Sequence, residues 1–153
     1  MINMKGYTVK EFPEKSANSR IVKADISLKD SVNIAHNLRG MKLSAAKDFA
    51  EKVIRKEKPV KYFRYLDSVS HRKGTGPGRY PIKAMKAFLD LLNNVEANAE
   101  FKGLQVDSLV LKTVTACKGG MVKRYRPKAY GRAGEFFKDQ VNLEAVVVEE
   151  AEE

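Results

Sequence analysis

Apolar positions in this chain gather in a few periodic stretches separated by basic, glycine-containing ones. Ser27 offers a capping side chain, Asp30 sits three residues on, Val32, Ile34, Ala35 and Leu38 follow, and Gly40 closes the run. That pattern predicts a helix over 28–38. Leu43, Ala46, Phe49, Ala50, Val53 and Ile54 recur at helical spacing and stop before Pro59, which predicts a second helix. Pro81 suits the first turn of a third, the strongest, whose apolar face reads Ile82, Met85, Phe88, Leu89, Leu92 and Val95.

Elsewhere the period changes. After Gly103 the residues become β-branched and partly alternating through Val106, Leu109, Val110, Leu111, Thr113, Val114 and Thr115. Phe137 to Val148 does likewise, with Val141, Leu143, Ala145 and Val147 on one parity, so two antiparallel strands are expected. Residues 1 to 19 are polar and irregular, and Arg20 to Asp25 carries a weak strand signal. Between the second and third helices, Lys56 to Arg79 reads as a long basic, aromatic loop with Tyr62, Phe63, Tyr65 and His71, a kind usually functional or disordered.

The two strong strands bracket a peculiar segment. From Ser108 to Gly134 there are 27 residues without a carboxylate, carrying Lys112, Lys118, Lys123, Arg124, Arg126, Lys128 and Arg132. The simplest topology is a hairpin rooted in the sheet, its far end projecting beyond it. At ~3.3 Å per residue, an arm of about a dozen residues reaches roughly 40 Å. A bare two-stranded extension is marginal in water, so it is expected to order on a polyanion.

Charge sharpens this picture. The chain has 153 residues, 31% charged and 43% hydrophobic, without tryptophan, and a net charge of +10. Residues 135 to 153 hold seven acids and one lysine, a net of −6, which leaves +16 on the remainder. Such a balance favours nucleic acid or an anionic membrane. A membrane-surface helix is disfavoured because the densest basic stretch contains Pro127 and four glycines from Gly119 to Gly134. Without an apolar run of signal-peptide length or 18 consecutive apolar residues, neither secretion nor membrane insertion is expected. The single cysteine, Cys117, excludes an internal disulfide and a multi-cysteine zinc site and fits a reducing cytoplasm; neither metal nor cofactor is expected.

Against the bland reading, a solvated charged loop or lysine-guarded edge, the cations Lys118, Lys123, Arg124, Arg126, Lys128 and Arg132 are assigned to RNA phosphates. Gly119, Gly120, Gly131 and Gly134 would let backbone approach RNA, and Tyr125 and Tyr130 either stack on bases or pack across the hairpin. Gly74-x-Gly76-x-Gly78 lacks the preceding strand and Lys-Ser/Thr of a nucleotide loop; Arg72, Lys73 and Arg79 beside it suit phosphate contacts instead. An enzyme built on Cys117, His71 and this glycine loop lacks an orienting group, His36 reads as a satisfied or surface histidine, and no catalytic constellation emerges.

Three stretches carry a family resemblance: Tyr80-Pro81-Ile82-Lys83-Ala84-Met85-Lys86, Glu96-Ala97-Asn98-Ala99-Glu100, and Lys123-Arg124-Tyr125-Arg126-Pro127-Lys128-Ala129-Tyr130-Gly131-Arg132-Ala133. With Ser27-Leu28-Lys29 through Leu38-Arg39-Gly40-Met41-Lys42, the chain over about 16–150 resembles large ribosomal subunit protein twenty-two, called seventeen in eukaryotes. The 56–79 segment, with Ser68-Val69-Ser70-His71-Arg72 and Gly76-Pro77-Gly78-Arg79-Tyr80, looks like the archaeal and eukaryotic branch, and an archaeal source is inferred.

The resemblance implies an α+β fold: a small antiparallel sheet, about three helices packed against it and a long protruding β-hairpin. It implies one domain over 1–153, with a globular part at about 16–112 and 141–150, a hairpin at about 113–140 and an acidic tail at 149–153. It further implies a structural, non-enzymatic role in the cytoplasmic large ribosomal subunit: binding ribosomal RNA, supporting assembly, touching neighbouring ribosomal proteins, and lining the nascent-polypeptide tunnel. By position, Met121, Val122, Lys123, Arg124 and Tyr125 would lie at or near the tunnel wall. Arg126, Lys128 and Arg132 would bind RNA behind them, and Ser27, Lys29, Arg39 and Lys42 from the globular part. Glu135 and Asp139 replace a basic stretch of bacterial members, so no RNA contact is transferred there; those acids face neighbouring protein or solvent. The alternative is an exchangeable, non-ribosomal RNA-binding protein or RNA chaperone.

Overall fold

A computed structural model describes residues 6–10 and 12–149. The expected α+β architecture is present. Strand β1 (Ser16–Ala24) leads into helices α1 (Leu28–Leu38) and α2 (Leu43–Ile54), and short strands β2 (Val60–Lys61), β3 (His71–Arg72) and β4 (Gly76–Arg79) follow. Helix α3 (Ile82–Phe101) then precedes β5 (Leu109–Val122), β6 (Tyr125–Pro127), β7 (Ala133–Glu135) and β8 (Lys138–Glu149). No helix among the described residues is long and apolar enough to cross a membrane.

The main sheet has the antiparallel order β1-β8-β5, so the last strand is central. Its inward parity is the one expected, with Val141, Leu143, Ala145 and Val147 fully buried. Helix α3 packs on β1, β8 and α2, while α1 lies along β5. The core of the three-helix layer is Ile34, Leu38, Leu43, Phe49, Val53, Met85, Phe88, Leu92 and Val95. Leu91 joins it as a fully buried residue, whereas Leu89 only packs against the margin. The helix wraps against both β1 and α2, so its apolar arc is wider than one stripe.

Helix ends follow local chemistry. The Ser27 hydroxyl accepts from the Asp30 amide at 3.4 Å, and Pro81 stands at the cap position immediately before α3, one place ahead of the expected first turn. Gly40, at φ +82°, leaves α1 in the left-handed conformation, and its amide donates to the Leu111 carbonyl at 2.8 Å. The turn after α1 thereby docks on the edge of β5.

Two sequence expectations need correction. The weak strand is longer than Arg20 to Asp25, starting at Ser16 because Ser16 to Ile21 pair in register with Val148 to Leu143. The 56–79 segment is a second small sheet, ordered β2-β4-β3, and not an unstructured loop. Its middle strand is Gly-Pro-Gly-Arg, too short to show alternation. Pro77 lacks an amide, yet its carbonyl accepts from the Tyr62 amide at 3.0 Å, which lets it sit between two strands.

The back of the main sheet is partly covered. Glu144 is nearly buried there, ion-paired with Arg20 at 3.5 Å and accepting from the Thr8 amide at 2.8 Å and the Thr115 hydroxyl at 3.4 Å. Alternation alone would have left Glu144 in solvent. The segment around Tyr7 and Thr8 crosses this face, with Arg20 stacked 5.9 Å from the Tyr7 ring centroid.

Candidate nucleic-acid interface

Beyond the Ala24–Val141 pair, β1 ends and only β5 and β8 continue. Both partners of β8 deviate at this level. The pairing of β1 shifts between Ile21 and Ala24, with Lys23 at φ +58°, and that of β5 shifts between Lys118 and Met121. A Cβ on Gly119 would stand 2.9 Å from the Asn142 Oδ1 and 3.1 Å from the Gln140 carbonyl oxygen. The sheet needs glycine here for its own cross-strand packing. Asn142 also accepts from the Lys23 amide at 2.9 Å, tying the two irregularities together.

The arm then runs outward through β6 and β7, with Tyr125 opposite Glu135 and Pro127 opposite Ala133. Its turn is closed by the Lys128 amide donating to the Arg132 carbonyl at 2.7 Å, with Tyr130 and Gly131 both in the left-handed region. Met121 to Tyr125 therefore lie on the outgoing arm, short of the turn. Lys123, Arg124, Lys128 and Arg132 are exposed and form no ion pair among the described residues. Arg126 stands over the Phe136 ring, its guanidinium carbon 4.1 Å from the centroid.

Of the two tyrosines, Tyr125 packs edge-on across the hairpin to Phe137 at 5.8 Å, and Tyr130 is 96% exposed at the turn. Lys118 is spent in part within the chain, 3.1 Å from Asp139. Asp139 thus finds its partner on the opposite strand of the arm. Lys138 and Lys83 converge on Asp25 at 2.6 and 2.9 Å, joining the arm's root to β1 and α3. Those two hydrogen bonds, Lys138 first, hold the Asp25 carboxyl below its ordinary range.

The second basic group sits on α1 and the small sheet. Lys29 lies 5.7 Å from the Tyr65 centroid, Arg39 donates to the Val114 carbonyl at 2.9 Å, and Lys42 bridges β5 opposite Val110. Arg72 stacks on Tyr80 at 5.5 Å, Lys73 is exposed at the β3–β4 turn, and Arg79 donates to the Ser68 carbonyl at 2.8 Å. Cys117, on β5, and His71, on β3, belong to different sheets.

Sequence reasoning missed how the 60s segment is held. Asn33, 1% exposed, accepts from the Phe63 and Arg64 amides at 2.8 and 3.1 Å and donates to the Arg64 carbonyl at 3.1 Å. Asn37 donates to the Lys61 carbonyl at 2.8 Å, and the Tyr62 hydroxyl donates to Asp30 at 2.6 Å. Burial, followed by that hydrogen bond, pushes the Tyr62 phenol well above its ordinary value. The signal was present: Asp30, Asn33 and Asn37 form one polar stripe at helical spacing.

The amino-acid sequence matches a known family over most of the chain. The family model described as ribosomal protein L22p/L17e matches residues 19–148. The chain belongs to this family. Large ribosomal subunit protein uL22 of Picrophilus torridus is 64% identical over 150 residues, covering 98% of this chain and all of that protein. Those of Thermoplasma volcanium and Methanocaldococcus jannaschii are 63% and 40% identical, covering 95% and 94% of this chain and 98% and 94% of theirs. Such relatives make it an archaeal-type member, as the 56–79 segment suggested.

Proposed function

We propose that this chain is a structural constituent of the large ribosomal subunit, binding ribosomal RNA and performing no chemistry. One observation carries the reading: from Lys123 to Ala133 every residue is exposed, four of the five cations there have no partner among the described residues, and no acid is present. A strand pair of this kind gains little from its own contacts. It gains much by replacing counterions around packed phosphates, so arm and RNA order together.

The globular part bears a second contact surface of Ser27, Lys29, Arg39 and Lys42, extended by Arg72, Lys73 and Arg79 on the small sheet. With Lys118, Lys123, Arg124, Arg126, Lys128 and Arg132 on the arm, the chain joins RNA segments far apart in space and supports assembly. Met121, Val122, Lys123, Arg124 and Tyr125 face the nascent polypeptide in the exit tunnel, and neighbouring ribosomal proteins complete the surroundings. The chain works in the cytoplasm as part of that particle.

Sedimentation of tagged protein from native lysate through a high-salt sucrose gradient tests this. Near-stoichiometric migration with the large subunit is expected, since a surface-bound basic protein is stripped as salt weakens phosphate contacts. Release to the top of the gradient would instead favour an exchangeable RNA chaperone.

A further inference from the structure

Between α1 and the segment after β2 lies a concavity of about 360 Å³ lined by Val32, Asn33, His36, Arg39, Phe63 and Arg64. The backbone groups that back it are already hydrogen-bonded within the chain. The Phe63 and Arg64 amides and the Arg64 carbonyl are all bonded to the buried Asn33 side chain, and the Lys61 carbonyl to Asn37. What remains open to a visitor is aromatic and cationic. Phe63, 42% exposed, packs on the His36 ring with centroids 4.0 Å apart, and Lys61 approaches the Phe63 ring at 5.6 Å. Arg39 and Arg64 stand at the margins, both exposed, and no carboxylate lines the site.

We propose that this concavity receives one unpaired RNA nucleotide, its base against the His36–Phe63 rings and its phosphate between Arg39 and Arg64. Paired RNA hides its base faces and presents phosphate and sugar, which would leave an exposed aromatic pair idle. A splayed nucleotide uses both halves of the site, with stacking for the base and guanidinium for the phosphate. Arg39 donates to Val114 through Nη2 and keeps further donors for a phosphate. The base displaces Lys61 from the ring, and that ammonium joins the phosphate side. This rests on the chain being a ribosomal RNA-binding protein, and it specifies a stacking contact that the phosphate assignments do not contain.

Large subunits purified from cells whose sole copy is wild type, Phe63→Leu, Phe63→Tyr or Arg64→Ala provide the test, read by 2′-hydroxyl acylation, which reports the mobility of each nucleotide. Phe63→Leu is expected to raise acylation at one nucleotide or two neighbours by about fivefold or more, the factor matching about 1 kcal/mol of lost stacking. Arg64→Ala raises the same position and Phe63→Tyr leaves it unchanged. Phe63 is half exposed, so these variants keep the fold. Subunits containing Phe63→Leu with an unaltered map overturn the nucleotide site and leave the proposed function standing. Loss of a neighbouring protein in place of a nucleotide change also overturns it, in favour of an acidic protein partner. Absence of the wild-type chain from large subunits overturns both.

Discussion

Asp25, just past the end of the edge strand, lies 2.6 Å from Lys138, which begins β8 at the root of the hairpin more than a hundred residues later. Lys83 on α3 completes the clamp at 2.9 Å. The arm leaves the globular part where this carboxylate gathers one ammonium from each side.

Protonating Asp25 should release the arm's root. Its folded-state value is depressed below the ordinary 3.8, so the clamp stabilises the folded chain above that pH and is lost as pH falls through the lower folded value. NMR titration of the Lys138 amide should show a midpoint below 3.8, and Asp25→Asn should abolish that transition. A midpoint at or above the ordinary value would show that the clamp is not formed in solution.

Replacing Asn33 with Ala leaves the Phe63 and Arg64 amides without their acceptor. Destabilisation of about 1–3 kcal/mol is expected in denaturant unfolding. Faster hydrogen exchange should be confined to residues 61–65 and the neighbouring turn of α1. Exchange rising evenly through the protein would mean that this segment is held some other way.

Gly119→Ala puts a methyl against Asn142 and the Gln140 carbonyl. The oxygen 3.1 Å away is backbone, so the facing strand must give by a few tenths of an ångström, at about 1–3 kcal/mol. Amide protection should fall from Cys117 outward while the three-helix layer keeps its own. An unchanged exchange profile would remove the close approach as the reason for glycine at this position.

Changing Lys123, Arg124 and Arg126 together to Ala should spare the fold, since all three are exposed. Affinity for large-subunit RNA should lose about 2–3 units of slope in a plot of log K against log salt, about one per phosphate contact. Subunit assembly should suffer more than thermal unfolding of the isolated protein. Equal losses in both measurements would sink the assignment of these residues to RNA.

The three helices and two long strands were legible because each element's apolar period matches its own geometry. Ser27, Gly40 and the Val141 to Val147 parity mark boundaries and faces that depend on neighbours within a few residues. The basic hairpin was legible from charge and strand pattern together, as a run of cations between two strand signals. The small sheet was not, because Gly76 to Arg79 has no period to read and its partners lie on either side of it in sequence. Family membership was legible too, in the motifs at 80–86, 96–100 and 123–133, and the match across residues 19–148 bears it out.

What the sequence determined by itself is therefore local: which segments bury a face, where helices begin and end, and that one arm carries a run of cations without an acid among them. Only the tertiary structure decided which charges are already spent. Lys118 on Asp139, Lys83 and Lys138 on Asp25, and Arg20 on Glu144 are pairs made by residues brought together through folding. Ion pairing falls off over a few ångströms, and separation along the chain says nothing about separation in space once strands from opposite ends lie side by side.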